Sequence, residues 1–138
     1  MSETMMDKTM MNKTAIEKML GVFMDAFDRD DLDAVMDAFT PDIVYVEYDG
    51  TRSEGQEAVR KAFGPQFRGD FGTIRFHSED QFIDAESRRA LIRWQCVIDK
   101  GGVKLAWDGL DIFHFEGEKI SEKHTYAKAS KLELEKLA

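Results

Sequence analysis

At 138 residues the chain has the length of one domain, and a chain of this size buries roughly two-thirds of the surface it exposes when unfolded. Apolar residues make up 43% and charged residues 33%, the mix of a globular protein rather than a disordered or membrane-spanning one. With 27 Asp and Glu against 19 Lys and Arg the formal charge is −8, which argues against nucleic-acid backbones and anionic membranes as partners.

Cysteine occurs once, at Cys96, so neither a disulfide framework nor a paired-cysteine metal site can be built. A reducing compartment, most simply the cytoplasm, is the expectation. No stretch has the length and apolarity of a membrane span. Residues 1–12 hold five methionines among polar residues and lack the basic start and apolar run of a signal peptide. They are expected to be a flexible Met-rich tail, or an arm that adapts to a partner. Residues 13–138 are expected to form one domain.

Thr14 to Glu17 is a capping-box pattern and predicts the start of a first helix. Ile16, Met19, Leu20, Phe23 and Phe27 then recur at helical spacing. Asp30 or Asp31 predicts the cap of a short second helix carrying Leu32, Val35, Met36 and Phe39, stopped by Thr40-Pro41. Ile43 to Tyr48 reads as a strand, followed by an Asp49-Gly50 turn. A third helix is expected from Gly55 to Phe63, ended by Gly64-Pro65. Beyond it the period changes to two, and residues 73–84, 89–99, 103–115 and 119–128 read as four long strands. Their joints are short and turn-like, which predicts an antiparallel meander. Residues 128–138 are expected to add a helical turn or two. Helices first and strands after is an α+β layout with a pocket between the layers.

Three stretches together resemble the NTF2-like superfamily, in its SnoaL-like and ketosteroid-isomerase-like branch. They are Ala26 to Phe39 with Pro41-Asp42, Gly55 to Phe63, and Trp107 to Ile120 with its Gly117-Glu-Lys-Ile ending. The resemblance implies a cone-shaped α+β barrel, with three N-terminal helices packed on a curved, mainly antiparallel sheet. It also implies a homodimer through the outer sheet face. It leaves the activity open, because the superfamily contains isomerases, cyclases, dehydratases, hydrolases and non-catalytic binders.

Strand alternation sorts the side chains. Ala90, Ile92, Trp94, Cys96 and Ile98 are expected to face the helices, as are Trp107, Gly109, Asp111, Phe113 and Phe115. Asp111 is the polar intruder among them. A buried carboxylate is costly unless it is paired, hydrogen-bonded or protonated. By resemblance it matches the protonated Asp that donates to the isomerase's substrate oxyanion; otherwise it caps backbone or pairs with a lysine. Ile43, Tyr45 and Glu47 share a face. Glu47 matches the isomerase's general-base Asp, or is a strand-end residue reaching water. Phe23 stands where the isomerase has its oxyanion Tyr, a donor typically worth about 3–4 kcal/mol. Tyr45 or Trp94 is the available substitute. Lys123, Thr125 and Ala127 form the inner set of the last strand. Thr125 stands where epoxide-hydrolase-like members carry a catalytic Asp, so that chemistry is discounted. Lys123 is either a charge partner for Asp111 or Glu47, or a residue at the mouth with its amine in water.

His114 and His124 are expected to face outward. No metal-ligand spacing, nucleophile elbow or phosphate loop occurs, so no metal and no cofactor is expected. Cys96 reads as a core residue, and Leu110 with Ile112 as a face buried in the dimer. Two functions follow. One is acid–base catalysis of isomerase, cyclase or dehydratase type on a small carbonyl compound, with Glu47 as base and Asp111 as donor. The other is a non-catalytic module, either binding a small hydrophobic molecule between Phe23, Phe27, Tyr45, Trp94, Trp107 and Phe113, or serving as a dimeric interaction domain with a filled pocket.

Overall fold

The computed structural model describes the backbone of residues 2–128 and the side chains of residues 13–128. Its elements are α1 (Ser2–Asp28), α2 (Leu32–Asp37), β1 (Phe39–Val46), β2 (Arg52–Glu54), α3 (Gln56–Phe67), β3 (Thr73–Asp84), β4 (Arg89–Lys100), β5 (Val103–Glu116) and β6 (Lys119–Lys128). Among the described residues no helix is long and apolar enough to cross a membrane. The helical turns expected beyond Lys128, and the side chains of the Met-rich segment, lie outside the described residues.

The four expected meander strands form, and the differences lie upstream. Helix α1 runs on before Thr14, so that residue sits inside the helix rather than capping it. Extending a helix gains one hydrogen bond per residue fixed, whereas starting one requires a costly nucleus, and no Gly or Pro interrupts residues 2–20. Asp31 is the cap of α2, its carboxylate accepting from the Ala34 N–H at 3.0 Å. That helix is six residues long, and Phe39, expected within it, instead opens β1 and pairs with Ile120. Helix α3 continues through Pro65 to Phe67. Proline lacks only its own N–H; the carbonyls of Gly64 and Pro65 still accept from Arg68 and Asp70.

The sheet order is β2-β1-β6-β5-β4-β3, with β1 parallel to β6 and every other pair antiparallel. The chain enters at β1, leaves through α3, returns at the far edge as β3 and meanders back. The barrel is therefore an open curved sheet, with β2 and β3 as its edges. One face is covered by the helices. Ile16, Leu20, Phe23 and Phe27 of α1 and Val59 and Phe63 of α3 are buried against Ala90, Ile92, Trp94, Phe113 and Phe115 of the sheet. The expected parity holds: on β5 the buried positions are Gly109, Asp111, Phe113 and Phe115.

Candidate functional site

Register builds the site. Tyr45 of β1 lies beside Lys123 of β6. Thr125 of β6 lies opposite Asp111 of β5. Trp94 of β4 lies opposite Gly109. With no side chain at Gly109, the indole lies across β5; a Cβ there would come within 2.6 Å of the ring atom Cζ3 and of the Tyr126 carbonyl oxygen. The indole Nε1–H thereby reaches Asp111 Oδ2 at 2.9 Å.

Asp111 is 5% exposed and Lys123 likewise 5%, so neither the amine nor the carboxylate is in water. Lys123 Nζ donates to Asp111 Oδ1 at 3.0 Å and to Thr125 Oγ1 at 2.9 Å. Thr125 donates in turn to the same Oδ1 at 2.5 Å. Both carboxylate oxygens thus accept from fixed donors, the geometry of an ionised acceptor. This corrects the expectation that a protonated Asp111 donates to an oxyanion, and equally the expectation of a wet Lys123. The ammonium also sits over aromatic rings, 4.7 Å from the Tyr45 centroid, 5.7 Å from Phe63 and 6.0 Å from Phe27. Burial alone would lower the Lys123 pKa; the Asp111 charge, with further help from Tyr45 and Glu47, outweighs it and holds the amine above its ordinary range.

Above this floor is a cavity of about 580 Å³, within the usual range for small-molecule sites. Phe23, Phe27, Tyr45, Trp94, Trp107, Lys123, Thr125, Asp111 and Glu47 all line it. Phe113 does not; it is fully buried in the core, edge-on to Phe23 at 5.6 Å. Phe63 and Phe76, not singled out as site residues from the sequence, add to the aromatic wall. Phe63 stacks on Tyr45 at 4.6 Å and Phe76 meets Trp94 edge-on at 5.0 Å. Phe63 shares the inward spacing of its helix with Val59 and Ala62, whereas nothing in the sequence reading marked Phe76.

Glu47 follows the last residue of β1, and its backbone N–H donates to Thr51 at 2.8 Å. Its side chain is half-buried and, among the described residues, has no hydrogen-bond or ion-pair partner. Burial raises its pKa, the neighbouring Asp49 charge raises it further, and Lys123 opposes both. Burial likewise raises the Tyr45 phenol, with Lys123 in opposition, so the hydroxyl is a neutral donor facing the cavity. Cys96 also faces it, and burial pushes its thiol up to about 12, which makes it a poor nucleophile. On the opposite face of the sheet His114, Glu122 and His124 form a separate cluster. The sequence placed both histidines outward without bringing them together.

The sequence profile of the SnoaL-like domain matches residues 22–123. The fold is similar to a cystatin-like-fold protein of unknown function from Methylobium petroleophilum PM1, with a TM-score of 0.72 and 19% identity over 87% of this chain and 80% of that one. It is similar to an NTF2-like protein of unknown function from Mesorhizobium loti, with a TM-score of 0.71 and 20% identity over 84% and 93% of the two chains. It is also similar to a candidate polyketide cyclase from Xanthomonas campestris pv. campestris, with a TM-score of 0.70 and 18% identity over 83% and 91%. No curated protein sequence matches the chain.

Proposed function

The chain belongs to the SnoaL-like family, and from that premise we propose that its cavity takes a small, mostly apolar carbonyl compound and performs acid–base chemistry on it, of isomerase, cyclase or dehydratase type. The observation that carries this reading is the Glu47 carboxylate in the wall of an aromatic cavity, without a hydrogen-bond or ion-pair partner among the described residues. A carboxylate raised above its ordinary pKa is a stronger base when ionised. In this reading Glu47 takes a proton from the carbon next to the carbonyl. The negative charge that develops on the carbonyl oxygen is met by the Tyr45 hydroxyl and by the fixed positive charge of Lys123. Asp111 is a positioning residue that holds Lys123 against the cavity.

A reporter reaction tests it. The neutral bicyclic ketone 2-tetralone in D2O reports proton abstraction by the loss of its α-hydrogens. The expected result is exchange above the buffer rate that falls about a hundredfold or more in Glu47→Gln. Exchange unchanged in that variant would overturn the assignment of Glu47.

A second reading, a non-catalytic binder, is favoured by the mutual pairing of Asp111, Lys123, Thr125 and Trp94, which leaves the floor chemically satisfied. The chain has two tryptophans and both line the cavity, so ligand entry is read directly as quenching. Saturable quenching without exchange would select this reading. We also propose a homodimer through the outer sheet face, where Leu110 and Ile112 are only half-buried and Tyr126 is exposed; sedimentation tests it, and a monomer at all concentrations would refute it.

A further inference from the structure

We propose that His114, Glu122 and His124, on the outer face of the β5–β6 hairpin, form a binding site for a divalent transition-metal ion of the zinc class. The cavity lies on the other face of the sheet and takes no part.

The site exists because of an irregularity in register. At the start of the hairpin Phe115 pairs with Ile120, but the next pair is His114 with Glu122, so Ser121 is the extra residue of a bulge. A bulge re-aims the side chains beyond it. Here it places Glu122 directly opposite His114, and His124, two residues on along β6, points to the same outer face. The Ser121 hydroxyl donates to the His114 carbonyl at 3.2 Å and fixes the bulged backbone.

The donor geometry follows from that placement. One oxygen of Glu122 is 3.1 Å from His114 Nδ1, and the other is 2.9 Å from His124 Nε2. The two imidazoles approach within 5.5 Å, centroid to centroid. All three ligand atoms lie within 4.8 Å of one another. Ligands held about 2.1 Å from a tetrahedral zinc stand roughly 3.4 Å apart, so small side-chain rotations suffice to enclose an ion. Two imidazoles and one carboxylate with room for water are a zinc-type donor set. They are a poor set for calcium or magnesium, which require more oxygen ligands. The ligands sit on two adjacent strands rather than on a loop, so an ion would clip β5 to β6. Those are the strands that carry Asp111, Lys123 and Thr125 on the reverse face.

The test titrates Zn2+ into the tag-free, chelator-treated full chain near neutral pH by calorimetry, and repeats it with Co2+ to read the ligand-field spectrum. The expected result is one saturable Zn2+ per chain, a four- or five-coordinate cobalt spectrum, and no comparable response to Ca2+. His114→Ala, His124→Ala and Glu122→Gln are each expected to weaken binding about tenfold or more. All three side chains are on the outer face and outside the core, and circular dichroism checks that each variant is folded. His77→Ala removes the remaining histidine and is expected to leave binding unchanged. Absence of saturable Zn2+ binding overturns the proposal. So does binding that survives all three substitutions, or that His77→Ala weakens as much as they do.

Discussion

The floor and the mouth of the cavity each present a carboxylate, and the two are built in opposite ways. Asp111 on the floor is almost fully buried, and its oxygens accept from Trp94, Lys123 and Thr125. Glu47 at the mouth is only half-buried, yet among the described residues no donor reaches it, and burial and the like charge of Asp49 both raise its pKa against the opposing charge of Lys123. Burial by itself therefore does not mark the reactive acid. The deeper carboxylate is the better satisfied one, ion-paired with a lysine. The shallower one has no such partner among the described residues.

The largest effect that would break this comparison is expected from Lys123→Met. It removes the cation and leaves Asp111 as an uncompensated buried charge, a change that destabilises by about 3–5 kcal/mol. Urea denaturation measures it. The double variant Asp111→Leu with Lys123→Met removes both charges and is expected to recover most of that loss, because well-packed apolar replacements of a buried pair are often neutral or stabilising. If the double variant unfolds as readily as the single one, the two groups do not act as a pair and the contrast with Glu47 disappears.

Gly109→Ala is the intermediate case, since it changes no charge. The new methyl would collide with the Trp94 ring and the Tyr126 carbonyl. Overpacking of this kind costs about 1–3 kcal/mol. The indole can relieve the clash only by moving away from β5, which breaks its bond to Asp111. The expected signature is lower stability together with a shifted tryptophan emission. A stable variant with unchanged emission would show that Gly109 does not set the indole.

These elements also show what a sequence can display. The meander was legible because alternation over ten or more residues and short Gly-containing joints both depend on local chemistry. The end of α2 was not legible: Phe39 is buried whether it ends a helix or begins a strand, so its hydrophobicity cannot choose. Strand β2 escaped because it is three residues long and mostly exposed. At the site, Asp111 and Lys123 stood out as polar residues on apolar faces. Their partners did not, because pairing depends on cross-strand register. Lys123 had been open to Asp111, to Glu47 or to water, and it was the alignment of Thr125 with Asp111 that placed it. The bulge at Ser121 is the same limit in a stronger form, since no spacing in the sequence announces that His114 faces Glu122.

Glu47→Gln is expected to have the smallest effect on stability, and its sign sharpens the comparison most. The folded protein raises the pKa of Glu47, so the native state binds this proton more tightly than the unfolded chain does. Stability from this group is therefore fully present below the ordinary Glu range and lost as pH rises through the folded value. Glutamine mimics the neutral form and does not pass through that loss. The variant should match the wild type in acid and be slightly more stable near neutral pH, with the gap opening just above the ordinary Glu range. Thermal unfolding across that window measures it. Replacing Asp111 alone should act oppositely, because it strands the Lys123 ammonium in the core. A destabilised Glu47→Gln at neutral pH would mean that the mouth carboxylate is held by favourable contacts, as the floor carboxylate is, and its claim to be the free base would fail.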